Sequence, residues 1–316
     1  MMIVGGILIA LVLLIGIYVA TTWAPELTVE ELHPRFASPP SAFLNVAGMK
    51  VHMRDEGPRD DPSPIVLLHG SAASLHTWDG WAEALRSSRR VVRFDLPGFG
   101  LTGPSPDGKY SIDNAIRLLI AMLDQLAIER AVLGGNSLGG VIAWRTALEY
   151  PTRVERLILV DSVGYPVASS STPLAFYFAK LPTIDWIVRN TLPRTLVAQG
   201  LRHAYADQTK VTPELIDQYR DLLRREGNRG AFIDRARQRR PATSAHRIAQ
   251  LNLPTLIIWG GHDRMIPSEA AERFHYDIAG SKLIIFDDLG HVPQEEDPTR
   301  TVVPVKQFLE APSPAL

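Results

Sequence analysis

The chain has 316 residues, 46% of them apolar, and a formal net charge of -1, which is material for one large α/β domain with an insertion or for two small domains. That balance lacks the basic stripe that nucleic-acid binding calls for, so no nucleic-acid partner is expected. Having no cysteine, the chain is excluded from disulfide scaffolds, thiolate metal sites and cysteine nucleophiles.

The first charged side chain is Glu26, and residues 3–20 are overwhelmingly apolar. A helix needs about 20 apolar residues to cross a bilayer core, so residues 3–20 are expected to form a single-pass anchor within a membrane segment 1–21, placing the protein at a membrane. A cleaved signal peptide competes with this, but it would want a basic residue before the apolar run. A buried core helix at a terminus would have little to pack against. No Lys or Arg flanks the run closely enough for the positive-inside rule to fix which side the domain faces. Residues 22–40, with three acids and several prolines, read as an extended linker.

Beyond the linker, short β-rich runs alternate with amphipathic stretches. Strands are predicted at 43–46, 50–54, 65–68, 91–94, 131–133, 157–160, 255–259 and 282–286. The last six are continuous apolar runs, as strands buried on both faces are. Helices are predicted at 77–86, 112–126, 138–150, 267–278 and 298–308, with Pro267 and Pro298 suited to a first turn. Such alternation implies a mostly parallel sheet covered by helices on both faces. One interval breaks it: 167–252 holds only helical segments, at 174–187, 192–205, 213–225 and 231–239, and reads as a helical cap inserted between core segments 41–166 and 253–316. Its Arg-rich part, 189–247, is a solvated basic face by default; a face resting on anionic lipid is the sharper reading.

The densest chemical signal is Gly135-Asn136-Ser137-Leu138-Gly139-Gly140, between a predicted strand and a predicted helix. A serine on that turn is held in a strained conformation with its hydroxyl presented, and glycines two before and two after make room for it. The helix N-terminus beyond offers free N–H groups to developing negative charge. Serine needs a base. Of nine histidines, His291 lies just past the last predicted strand, within reach of the strand ends. The imidazole needs a carboxylate to orient it. Asp263 follows the strand at 255–259, giving the chain order Ser, Asp, His. Asp161 is the rival carboxylate, and Asp95, preceding Pro97-Gly98-Phe99-Gly100, is expected to cap a turn. His69-Gly70-Ser71-Ala72 follows the strand at 65–68, so the N–H groups of Ser71 and Leu138 are the expected oxyanion hole, where one donor is worth about 3 kcal/mol of barrier. His69 is expected to be structural.

Together, His69-Gly70, the run Asp95 to Gly100, Gly135 to Gly140, Gly260 to Asp263 and Gly290-His291 resemble the α/β-hydrolase superfamily over residues 43–309. The resemblance implies an eight-stranded mostly parallel sheet with helices on both faces, a helical cap after the sixth strand, and neither cofactor nor metal. Haloalkane dehalogenases and epoxide hydrolases of this type have aspartate where this chain has Ser137. The elbow is similar to those of carboxylesterases and of carbon–carbon bond hydrolases of aromatic ring cleavage. Polar cap residues suited to a dienoate are not evident in the sequence, so hydrolysis of a small carboxylic ester through an acyl-enzyme on Ser137 is expected. Its apolar acyl chain would lie against residues 173–178 and Trp186, although those aromatics equally suit packing of the cap onto the sheet. A carbon–carbon hydrolase, an acyltransferase and a non-enzymatic ligand-binding receptor are the alternatives.

Overall fold

The computed structural model describes residues 2–166, 185–238 and 244–311. Eight strands form one sheet: β1 (Ser41–Val46), β2 (Met49–Glu56), β3 (Ile65–Leu68), β4 (Val91–Phe94), β5 (Ala131–Asn136), β6 (Val154–Val160), β7 (Thr255–Gly260) and β8 (Lys282–Phe286). Their order is β1-β2-β4-β3-β5-β6-β7-β8. β2 runs antiparallel to both β1 and β4, and every other pair is parallel. The eight strands predicted from the sequence are these eight.

The central parallel strands are mainly apolar because both faces are covered. On one face Val66, Leu133, Leu157 and Ile257 pack with Ile142 and Trp144 of α5 (Leu138–Glu149) and with residues of α4 (Ile112–Gln125). On the other, Ile65, Val132, Ile158 and Ile258 pack with Trp81 of α3 (Asp79–Leu85) and with Val305 and Phe308 of α12 (Pro298–Glu310). Each fully buried aliphatic side chain contributes about 1.5–3 kcal/mol. Pro298 occupies the first turn of α12 as expected, and the Asp297 side chain caps it. Pro267 lies just outside its helix, α10 (Glu269–Asp277), rather than in its first turn.

The first forty residues differ from the sequence expectation. The stretch 22–40 is not an extended linker, because it carries α2 (Val29–Phe36). Thr28 accepts from the Glu31 N–H at 3.2 Å, and Glu31 accepts from the Thr28 N–H at 2.8 Å. That reciprocal cap satisfies two N-terminal donors, while Leu32 and Phe36 bury against Leu101 and Leu222. Residues 22–27 are pinned to the segment between β6 and β7: Ala24 N–H donates to Asn190 O at 3.0 Å, and Leu27 N–H to Arg224 O at 2.8 Å.

Preceding them is helix α1 (Met2–Thr22). Among the described residues no helix is long and apolar enough to cross a membrane. The anchor expected over residues 3–20 is therefore unsupported.

Between β6 and β7 lie α6 (Asp185–Asn190), α7 (Arg194–Ala204), α8 (Pro213–Arg224) and α9 (Asn228–Gln238), with no strand among the described residues of that insert. The 174–187 helix and the acyl pocket read at 173–178 lie wholly or partly outside the described residues; Trp186 is described and exposed. Several of the insert's arginines are paired within it, Arg189 with Asp185 and Asp234, Arg194 with Asp217, Arg224 with Asp221, Arg237 with Asp185. Part of the predicted basic face is thus internally neutralised.

Candidate active site

The β3, β4, β5, β6, β7 and β8 ends deliver His69-Gly70, Asp95, Ser137, Asp161, Asp263 and His291 to the carboxyl edge of the sheet. The strand order reverses there, and that is where open α/β sheets form their ligand crevices.

Ser137 stands between β5 and α5 with φ 52° and ψ -109°, a conformation that a non-glycine residue adopts only when its surroundings enforce it. The enforcement is visible in the two neighbouring glycines. A Cβ on Gly135 would lie 2.3 Å from the Gly139 carbonyl, and one on Gly139 would lie 2.0 Å from the Leu68 carbonyl oxygen. Any side chain there would force the turn open. The Ser137 carbonyl accepts from the N–H groups of Val141 and Val163, at 3.3 and 3.1 Å, which fixes the turn on α5 and on the β6 loop. Leu138 begins α5, where first-turn N–H groups have no intrahelical acceptor. The β3 loop comes up beside it, with a Cβ at Gly70 only 3.3 Å from that of Ser137. Ser71 follows Gly70 and is exposed. Leu138 directly follows the serine, and Gly70, the neighbour of Ser71, lies against it.

His291 Nδ1 lies 2.7 Å from Asp263 Oδ2, and both residues are buried. The other Asp263 oxygen accepts from the N–H groups of Met265 and Ile266 at 2.7 and 3.0 Å. Burial works to raise the pKa of this carboxyl. The His291 imidazole and the two backbone donors overcome it and hold the group below its ordinary value, so it is ionised. An ionised acceptor on Nδ1 leaves Nε2 as the free face of the neutral ring.

Two residues that the sequence reading did not single out brace this arrangement. Asn136 Nδ2 donates to the His291 carbonyl at 2.9 Å and to the Val160 carbonyl at 3.2 Å, tying serine loop, histidine loop and β6 together. Its place directly before the elbow serine was the available signal. Glu296, in α11 (Pro293–Glu296), accepts from Gly290 N–H at 2.8 Å and from Ala206 and Asp207 N–H at 3.1 and 2.7 Å. It fastens the histidine loop to the insert, and the His291 N–H adds a bond to the Ala204 carbonyl at 2.7 Å.

The secondary candidates fall into place. His69 donates from Nδ1 to Gly70 O at 2.7 Å, and its Nε2 accepts from Leu96 N–H at 2.9 Å; burial lowers its pKa, so it is a neutral strut. Asp95 accepts from Leu75 and Leu101 N–H and from His52 Nδ1, at 2.7, 2.8 and 2.7 Å. Burial opposes its ionisation, but His52 and its other neighbours prevail and bring it down to about 2. It is a turn hub. Asp161 sits against the Asp263–His291 pair, fully buried.

One cation of the insert lies close by. Arg235 of α9 stacks on the Phe99 ring at 4.8 Å and the Tyr110 ring at 5.1 Å, and Phe99 in turn packs edge-on against His69 at 5.6 Å. Its N–H groups reach the Pro97 and Tyr110 carbonyls, while Nε has no partner. Burial pushes its pKa down to about 10, and no described carboxylate pairs with it.

The chain is similar to known proteins along most of its length. The model of the alpha/beta hydrolase fold matches residues 63–298. An uncharacterized hydrolase of Bacillus subtilis, YugF, is 28% identical over 78% of this chain and 89% of its own length. The 2-hydroxy-6-oxononadienedioate/2-hydroxy-6-oxononatrienedioate hydrolase of Escherichia coli K12 is 30% identical over 88% of this chain and 99% of its own. Among solved structures, the meta-cleavage product hydrolase of Pseudomonas fluorescens superposes with a TM-score of 0.74 at 28% identity, covering 85% of this chain and 97% of that one.

Proposed function

Because the chain belongs to the α/β-hydrolase family, we propose that it is a serine hydrolase that breaks the carbon–carbon bond beside a ketone in an anionic 2-hydroxy-6-oxo-dienoate type of substrate. The observation that carries the choice of bond is the likeness to hydrolases of such compounds along nearly their whole length. Arg235 supports it. A partly buried guanidinium without a carboxylate partner carries a desolvation cost, and a substrate carboxylate would supply the missing anion in bidentate geometry. The sequence offered no polar residue suited to a dienoate; Arg235 is a candidate that only folding brings beside His69 and Phe99.

The steps use the chain's own groups. His291 takes the Ser137 proton as Oγ bonds to the ketone carbon, and the Ser71 and Leu138 N–H groups hold the oxyanion. With the substrate in its 2-oxo tautomer, the carbon–carbon bond then breaks, its electron pair passes into the conjugated 2-oxo group as a dienolate, and the dienolate oxygen takes the proton from His291. Water cleaves the acyl-serine by the same route and releases the acid.

The test is turnover of a 2-hydroxy-6-oxo-dienoate beside p-nitrophenyl esters from acetyl to palmitoyl. Arg235→Met is expected to raise KM for the dienoate about 10-fold, the loss of about 1.4 kcal/mol, and to leave ester kcat/KM within about twofold. Ester turnover with no action on the dienoate would reverse the choice.

Ester hydrolysis is the second reading, favoured by the N-terminus. Ile7, Ile9, Leu13, Leu14 and Ile17 of α1 are exposed, and Trp23 packs at 5.8 Å against exposed Trp186 of the insert. Aromatic rings beside an apolar helix suit a lipid surface, where fatty-acyl esters reside, and the insert would then act as a cap over the site. Flotation with liposomes should carry the full chain and leave residues 22–316 behind; co-migration of the shortened chain would remove this support.

A further inference from the structure

Asp161 is a carboxyl at this edge that the proposed chemistry leaves unused, and its setting is unusual. It follows β6 with φ 43°, is fully buried, and its backbone N–H is fixed to the Ile258 carbonyl at 3.0 Å. Its Oδ1 accepts from Gly260 N–H at 3.0 Å. Its Oδ2 is buried with no hydrogen-bond partner. One polar atom each of Asp161, Asp263 and His291 lies within 4.8 Å of those of the other two.

Two carboxylates that close, sealed from water, cannot both be ionised. The three donors on Asp263, from His291, Met265 and Ile266, make it the better anion. Asp161 has one donor and an orphaned oxygen. An oxygen facing a carboxylate lacks a partner only as long as it carries no hydrogen; protonated, it becomes a donor and the orphan disappears.

We propose that Asp161 carries a proton at neutral pH and donates it to the Asp263 carboxylate, moderating how strongly Asp263 holds the protonated His291 imidazole. Burial, then the Asp263 charge, push the Asp161 carboxyl well above the ordinary range, in keeping with this. The other charged groups facing the pair are His291 from the β8 loop and Glu296 from α11, whose backbone carbonyl takes a bond from Lys210 of the insert. Glu296 adds to the negative field and favours the protonated form of Asp161 further. Asp161 thus acts through Asp263 as a positioning residue and touches no substrate.

The inference rests on the proposed Ser137–His291–Asp263 triad, and its test separates the two. The pH profile of kcat/KM is measured for the wild type, Asp161→Asn, Asp161→Ala and Ser137→Ala on whichever substrate the enzyme turns over. The asparagine amide keeps a donor toward Asp263, so the acid limb should stay in place with kcat/KM within a few-fold. Asp161→Ala removes the donor, leaves Asp263 a stronger partner for the protonated imidazole, and should move the acid limb about one unit to higher pH. An acid limb unmoved in folded Asp161→Ala, or moved equally in both variants, overturns the assignment. Activity surviving in Ser137→Ala would instead overturn the triad. Infrared difference spectra give a reading independent of how the alanine variant folds: the carbonyl stretch of a protonated carboxylic acid should be present at neutral pH in the wild type and lost in Asp161→Asn. Its absence from the wild type sinks the proposal.

Discussion

Ser137→Ala is expected to lower kcat by at least about 10⁴-fold, and toward 10⁶-fold where the remaining groups act only as a unit. The expectation follows from the turn. With φ 52°, Ser137 occupies a conformation worth about 1–3 kcal/mol of strain, and the two glycines flanking it are each blocked by backbone within 2.3 Å of any Cβ. Strain of that kind is retained where presenting a side chain matters more than local comfort. Alanine keeps the Cβ and the same backbone demands, so the fold should persist with unchanged circular dichroism and thermal midpoint. What is lost is the only hydroxyl at the elbow. Hydrolysis retained at a tenth of the wild-type rate would show that the chemistry lies elsewhere, whichever bond is the natural one.

The elements that the sequence declared well are those whose signal is local. The runs at Ile65–Leu68 and Thr255–Gly260 are mainly apolar because both faces are covered, and their composition alone announces that. β5 runs three residues past the end predicted at 133, where Gly134, Gly135 and Asn136 look like turn residues. They are strand because the Leu67 side chain fills the space where Gly134 lacks one, and because Gly135 must pass close to Gly139. In the N-terminal segment, prolines and acids masked α2, although Thr28 and Glu31 stand at the spacing of a reciprocal cap. The candidate site divides the same way. Ser137, His291 and Asp263 announce themselves through their loops. Asn136 to His291, Asp161 to Asp263 and Arg235 to Phe99 are meetings across long stretches of chain, and no periodicity encodes them.

Asp263→Asn should lower kcat by about 10⁴-fold with little change in KM. The side chain keeps its shape, so the bonds from Met265 and Ile266 to its oxygen survive. The atom facing His291 Nδ1, however, becomes either an uncharged acceptor or an amide donor. A donor there forces the proton to Nε2, the wrong tautomer to receive the Ser137 hydroxyl proton, and no anion remains to stabilise the imidazolium. The neighbouring carboxyl makes this variant informative. Freed from a negative neighbour, Asp161 would ionise more readily, but its oxygen is held by the Gly260 N–H at 3.0 Å and its backbone by Ile258. Reaching His291 Nδ1 would mean giving up that bond and moving within a packed interior, where rearrangement is expensive. The loss should therefore be nearly complete rather than partial. A drop of only some tens-fold, abolished when Asp161→Asn is added, would mean that the second carboxyl steps in as the orienting acid.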